Sequence, residues 1–337
     1  MTSIRTLALI SGGLDSALAA KLVLEQGLDV VGLYLESPTA CRSDVREVAR
    51  ELGIPLEVRA KGQEYLRLLR HPRFGYGKHM NPCVDCRVFM FGIARHVMEE
   101  VGARVLVTGE VAGQRPMSQG RNTLGLIDRQ ADLEGWVLRP LSALLLPETE
   151  PEKLGWVDRS RLLRITGRGR LEQLALADHY GLSHHQSPGG GCLLTDGTFS
   201  VKLRDLFAHQ SEEETDVDDV ALLRLGRQFR VRPDLKIVLG RNQDENRRLD
   251  GFRSDARWLM EPVGFNGPVA LVCGPRDEQA LDAAARLIAE YARDPRPEHR
   301  VRWRERESTG ERSLGEVLRS VPSTSSSAQD LVQLETS

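Results

Sequence analysis

The chain has 337 residues, room for about two domains, and its 40% hydrophobic and 28% charged content is that of a soluble globular protein. A net charge of −2 excludes a global basic field, so any surface for nucleic acid must be local. No apolar run reaches the roughly 18 residues of a membrane-spanning helix, and five cysteines with no signal-peptide pattern ahead of the first strand predict reduced thiols and a cytoplasmic location.

Thr6 to Ile10 reads as a short buried strand. Ser11-Gly12-Gly13-Leu14-Asp15-Ser16 follows it, and a helical pattern with Ala17, Leu18, Leu22 and Leu24 comes next, closed by Gly27. A strand, a glycine turn and a helix start present backbone N–H groups and a positive dipole end to a phosphate. Gly12 and Gly13 let the backbone approach an anion, and Ser11 and Ser16 add hydroxyls. Asp15 cannot meet a phosphate directly; it is expected to order the turn or to hold Mg²⁺. The loop is neither a Walker A sequence nor the dinucleotide fingerprint, whose spacings it lacks.

Strands are predicted over Asp29 to Leu35, Pro55 to Val58 and Arg104 to Thr108, with helices over Ser43 to Leu52 and Val84 to Val101. Alternating strands and helices imply an α/β fold with a doubly wound, mostly parallel sheet. Ligands bind such sheets at the carboxyl ends of the strands, so Ser11–Ser16 and Thr108-Gly109-Glu110 can face one site.

Asn81-Pro82-Cys83-Val84-Asp85-Cys86 opens the second helix. A redox dithiol, half a zinc site and plain structural cysteines all suit a Cys-x-x-Cys pair; the helix start favours thiolate. A third cysteine, Cys192, follows the glycine run Gly189–Gly191. Cys41 and Cys273 lack ligand-like neighbours and are expected to pack in the interior. Arg159, Arg161, Arg164, Arg168 and Arg170 crowd one segment, with Arg168 and Arg170 as candidate phosphate contacts. His184 and His185 are read as structural.

Residues 212–219 hold six acids, an exposed edge or linker. From Arg224 to Arg257 there are ten basic and five acidic residues, a local excess of five. Leu235 to Leu239 reads as a strand, Gly240 to Asn246 as a turn into a helix, Gly267 to Gly274 as a strand and Asp277 to Tyr291 as a helix. Residues 308–337 lack sustained periodicity and are expected to be disordered.

Ser11–Ser16 resembles the SGGxDS signature of the PP-loop (N-type ATP pyrophosphatase) superfamily. Thr108 to Gln119 and Leu138-Arg139-Pro140-Leu141 resemble the TGExxGQxxSQ and following motifs of its 4-thiouridine synthetase branch, over about residues 4–206. The Lys236–Asn246 string resembles the NFACT-R RNA-binding domain, with Gly240, Arg241, Asn242 and Asn246 on its motif. This resemblance implies a tRNA sulfurtransferase that adenylates a uridine with ATP and displaces AMP with sulfur. ATP and Mg²⁺ would bind at Ser11, Gly12, Gly13, Asp15, Ser16, Leu33, Thr108, Gly109, Glu110 and Gln114, with adenine against Leu33–Leu35. Cys83, Cys86 and Cys192 would hold a [4Fe–4S] cluster with one open iron; zinc with His79 as fourth ligand, and metal-free persulfide chemistry on Cys86 or Cys192, stay open. Arg241, Asn242, Arg247, Arg168 and Arg170 would contact tRNA. The N-terminal RNA-binding region and the rhodanese-like carrier of the better-known synthetases are not seen, so the sulfur donor, sulfide or a cysteine desulfurase, is left open. A homodimer is allowed and no membrane partner is expected. The expected domains are 1–170 for ATP, 171–210 as the connector with the third cysteine, 211–307 for RNA, and a tail over 308–337. Two alternatives remain, a PP-loop ligase of cofactor synthesis and a non-catalytic RNA-binding protein of ribosome quality control.

Overall fold

The computed structural model describes residues 4–40, 44–183, 192–305, 308–319 and 332–334. The chain divides into two units, Met1–Thr195 and Asp196–Ser337. The expected connector therefore splits: the part with Cys192 folds with the first unit, and Asp196 onward with the second.

The first unit runs β1 (Arg5–Leu9), α1 (Leu14–Leu24), β2 (Asp29–Glu36), α2 (Val45–Leu52), β3 (Leu56–Ala60), α3 (Gly62–Arg70), α4 (Cys83–Val101), β4 (Val105–Val107), α5 (Arg121–Gln130), β5 (Val137–Leu138), α6 (Glu150–Lys153) and α7 (Leu171–Tyr180). The five strands are all parallel, in the order β3-β2-β1-β4-β5. Both faces are covered. Ala8 and Ile10 pack with α1 and α2, while Leu7 and Leu9 pack with Phe91, Ala94 and Val97 of α4. This is the period of two that a strand buried on both sides requires. Asp44 caps α2 by accepting the Glu47 amide at 3.3 Å, and Gly53 ends it at φ +67°; Ser43, where the helix was expected to start, lies outside the described residues. The strand order reverses between β1 and β4, which is where such sheets open a ligand crevice. The turns after β1 and β4 carry Ser11–Ser16 and Thr108–Glu110.

The second unit runs α8 (Gly197–His209), α9 (Val217–Leu222), β6 (Arg227–Arg232), β7 (Leu235–Leu239), α10 (Gln243–Asp250), β8 (Arg257–Val263), β9 (Ala270–Cys273), α11 (Glu278–Tyr291), β10 (Arg300–Arg304), β11 (Thr309–Ser313), α12 (Leu314–Arg319) and β12 (Val332–Gln333). Its sheet is antiparallel, in the order β11-β10-β8-β9-β7-β6-β12. Ile237 and Val272 face α11; Val238 and Leu271 face Leu249 of α10. Disorder from residue 308 does not hold for Thr309–Arg319. β11 completes five register pairs with β10, and Leu314 and Val317 are buried in the α11 cluster. Two apolar residues three apart anchor the turn, too few for a periodic signal.

Among the described residues no helix is long and apolar enough to cross a membrane.

Candidate active site

The loop after β1 is built by its own side chains. The Ser16 hydroxyl donates to the Gly13 carbonyl at 2.8 Å and accepts the Ser11 amide at 3.1 Å; the Gly13 amide donates to Ser11 Oγ at 3.3 Å. Gly12, at φ +77°, is the residue that needs glycine's freedom; Gly13 is extended at φ −93° and forms the N-cap of α1. Gly109 is needed for another reason. A Cβ there would lie 2.5 Å from the backbone of Asp15 and Ser16, so β4 and the start of α1 meet backbone to backbone.

Asp15 is held from across the site. Its Oδ2 accepts from Gln114 Nε2 at 3.1 Å and from Arg170 Nη2 at 3.3 Å, while Oδ1 is buried with no partner. Arg170 is thus committed to the loop rather than presented outward to RNA. Glu110 is buried too. Its carboxylate accepts from Arg139 Nε at 3.0 Å and stands 3.5 Å from Arg87 Nε. Arg139 also binds Asp128 through both Nη atoms, at 2.8 and 2.7 Å. Burial works against the Arg139 charge, but Glu110 and Asp128 outweigh it and raise its pKa. Glu110 and Arg139 therefore brace the floor of the site.

The cysteines arrive from two segments. Cys83 is the first residue of α4, with Pro82 as its N-cap, and Asp85 fixes the approach by accepting the Arg73 and Phe74 amides at 2.9 and 3.0 Å. Cys192 is set by a bridge to Ala40 and by two bonds of the following residues. The Leu193 amide donates to the Thr39 carbonyl at 3.0 Å, and the Leu194 carbonyl accepts the Met80 amide at 3.2 Å.

Cys86 has the richest surroundings. Lys61 Nζ donates to its sulfur at 3.4 Å, the Tyr65 hydroxyl lies at 3.5 Å, and the same ammonium sits 4.3 Å over the Tyr65 ring. Burial pushes the Cys86 thiol up, but Lys61, Tyr65 and Arg87 together outweigh it and leave its pKa lowered. Burial and the neighbouring Cys86 push Cys192 up to about 11. The Cys86 and Cys192 sulfurs are thus not equivalent.

One cavity of about 530 Å³ gathers these parts. Of the expected residues, Ser11, Gly13, Asp15, Ser16, Leu33, Thr108, Gly109, Glu110, Gln114, Cys83, Cys86, Cys192, Arg168 and Arg170 all line it. His79 is exposed and does not. Lys61, Tyr65, Arg87 and Arg115 line it as well and carry no sequence motif. Among the described residues no group of three or more His, Cys, Asp or Glu is arranged to hold a metal ion. A single zinc needs all its ligands about 2 Å from one point, so the site with His79 is not supported. Cys83, Cys86 and Cys192 do line one cavity, which keeps three thiols available to a ligand there.

In the second unit the expected RNA residues mostly hold the fold. Asn242 caps α10 by accepting the Glu245 amide at 3.0 Å, and Arg241 Nη2 binds Glu245 at 2.5 Å. Asn246 Oδ1 accepts the Val269 amide at 3.1 Å and would be struck by any Cβ on Gly240. Arg247 stays open, 78% exposed, with Asp244 at 3.8 Å. Arg230 is paired with Asp205, Arg232 with Asp234 and Asp277, and Arg257 with Asp216 and Asp219. The excess of five counted along the sequence is thus drawn down by acids such as Asp205 and Asp277 from outside the segment. Cys273 packs half-buried against a core cluster; Cys41, His184, His185 and Gly189–Gly191 lie outside the described residues.

Residues 1–145 match the family model of the thiamine biosynthesis protein (ThiI), and residues 226–318 match that of the NFACT protein RNA binding domain. The chain is a fusion of a ThiI-like unit and an NFACT-R-like unit. The tRNA-specific 2-thiouridylase MnmA of Syntrophotalea carbinolica is 35% identical over 137 residues, 34% of this chain and 39% of that protein. A probable tRNA sulfurtransferase of Methanothermobacter thermautotrophicus is 28% identical over 120 residues, 33% of this chain and 30% of that protein. The chain thus spans less than half the length of either relative. A 4-thiouridine synthetase–RNA complex with bound ATP is similar at a TM-score of 0.39 and 22% identity, over 65% of this chain and 52% of that one. The ThiI match ends at residue 145, short of Arg168, Arg170 and Cys192, so the ThiI-like unit completes its cavity with residues beyond the matched stretch.

Proposed function

We propose that the chain thiolates a uridine of tRNA, using ATP and giving 4-thiouridine, AMP and pyrophosphate. The observation that carries this reading is that the loop after β1 and three cysteines from two distant segments line one cavity. The loop amides and the start of α1 would hold the terminal phosphates. The strand end Leu33–Leu35 offers adenine an apolar wall. The unpartnered Asp15 Oδ1 is the oxygen free to take Mg²⁺, with Oδ2 held by Gln114 and Arg170. The uridine oxygen would attack the α-phosphorus, pyrophosphate would leave, and a sulfur nucleophile would then displace AMP at the ring carbon. Cys83, Cys86 and Cys192 would hold a [4Fe–4S] cluster, which supplies sulfide at an iron without a protein ligand. Lys61 and Tyr65 steady the Cys86 sulfur in its anionic form. The NFACT-R-like unit would add affinity for tRNA, with Arg247 as its open cation.

The test is nucleoside analysis of tRNA after incubation with the anaerobically prepared chain, ATP and sulfide. Thiouridine together with AMP is expected, along with iron and a brown chromophore that Cys83→Ala abolishes. AMP formation without any thionucleoside would overturn the reading.

A further inference from the structure

Most cations in the cavity have a protein partner. Lys61 meets Cys86, Arg87 leans on Glu110 and Arg170 binds Asp15. Arg115 has no acid partner among the described residues. It is exposed on one side and lines the cavity together with Arg87, and the surrounding protein, with Arg87 as second cause, holds its pKa below the usual arginine value. Arginine keeps its proton in proteins. Two cations therefore line one cavity, an arrangement that an anion bound there would relieve. The groups that favour the Arg115 charge are Cys83, Cys192 and Asp15. All three line the same cavity as Arg115, so this cation shares the space of the cysteines and of the phosphate loop.

We propose that Arg115, with Arg87 beside it, seats the phosphate joining adenosine to the reacting nucleotide: the α-phosphate of ATP, then of the adenylate, then of AMP. The inference rests on the adenylation reading above. When the uridine oxygen bonds to the α-phosphorus, the bond to the bridging oxygen breaks, pyrophosphate leaves with the electron pair, and the ring N–H proton is lost. In the second step hydrosulfide bonds to the ring carbon, the carbon–oxygen bond breaks, and AMP leaves with that pair. In both steps the same phosphate carries the changing charge, and a guanidinium presents paired N–H donors to it. The terminal phosphates already have the loop amides and α1, which leaves a cation of the same cavity outside the loop for the phosphate next along.

The experiment measures binding of AMP, adenosine and pyrophosphate to the full chain by calorimetry, for the wild type, Arg115→Met and Arg115→Lys. Arg115→Met should weaken AMP by about tenfold to a hundredfold, as expected for a lost charged hydrogen bond. Adenosine and pyrophosphate should be unchanged, and Arg115→Lys should recover part of the loss. Unchanged AMP affinity in Arg115→Met overturns the proposal. So does an equal loss for adenosine, which would mean a damaged pocket, or a loss for pyrophosphate, which would put Arg115 at the terminal phosphates. A wild-type chain that binds neither AMP nor ATP would instead refute the adenylation reading, and this proposal with it.

Discussion

Replacing Gly109 by alanine tests whether the backbone contact between β4 and α1 sets the loop. The added Cβ would stand 2.5 Å from Asp15 C, Asp15 O and Ser16 N. Ordinary contact begins at 3.4 Å, so relief needs a shift of 3.4 − 2.5 = 0.9 Å. All three atoms are backbone and cannot swing aside. Thr108 behind the glycine is buried, so the strand cannot retreat, and the first turn of α1 must move. A displacement near 1 Å in a positioning element costs about a hundredfold in rate. Overpacking of this kind costs about 1–3 kcal/mol in stability. Gly109→Ala should therefore fold with a reduced denaturation midpoint and release AMP and pyrophosphate about a hundredfold more slowly. Gly92→Ala in α4, whose Cβ would meet nothing within 4 Å, is the control and should be neutral or gain up to about 1 kcal/mol. A Gly109→Ala chain with wild-type turnover and melting would refute the account of how the loop is positioned.

Arg139→Met should cost about 3–5 kcal/mol in denaturant unfolding, because it leaves Asp128 without its cation and Glu110 with Arg87 alone; a loss below about 1 kcal/mol would show that the carboxylates relax to water. In metal-free protein Cys86 should react with iodoacetamide faster than Cys192 at neutral pH, read by peptide mass spectrometry. Thiolate is the reactive form; the lowered Cys86 pKa makes its rate level off first as pH rises, while Cys192 keeps climbing toward about 11. Lys61→Met should move the Cys86 plateau to higher pH, and equal rates for the two cysteines would refute the assigned surroundings.

The fold of the first unit was legible because its signals are local. β1, β2 and β4 are short apolar runs, and Gly53 and Gly102 stop their helices at φ +67° and +69°. The loop and the three cysteines were legible as motifs, and the sheet's switch point brought them to one cavity. The sequence did not distinguish the two glycines of the phosphate loop: Gly12 takes the positive φ and Gly13 is extended. What the sequence hid was pairing at long range. Arg170 meets Asp15 from 155 residues away, and Lys61 reaches Cys86 from 25. Neither has a spacing rule, because the partners lie on different elements. Lys61 and Tyr65 are four apart and share a face at the start of α3, but nothing in that pattern says that a sulfur lies between them. The basic stretch of the second unit misled for the same reason, since its acids come from α8, α9 and the start of α11.

That pairing decides where a polyanion should feel the chain. The cavity is lined by Lys61, Arg87, Arg115, Arg168 and Arg170 against Asp15 and Glu110, so 5 − 2 gives a local charge of +3. The whole chain is −2, so the remainder carries −2 − 3 = −5. Screening limits each charge to about 8–10 Å at physiological salt, so the distant acids do not cancel the cavity. Arg168 is exposed, lines the cavity and has no acid partner among the described residues. Arg241 is bound to Glu245 at the β7–α10 junction. Arg168→Ala should therefore lower the log–log salt slope of tRNA binding by about one, the value of one lost phosphate contact. Arg241→Ala should leave that slope unchanged and lower the stability of the second unit. Filter binding across a salt series reads the first effect and denaturant unfolding the second. A slope that falls for Arg241→Ala and not for Arg168→Ala would reverse the roles given to these two arginines.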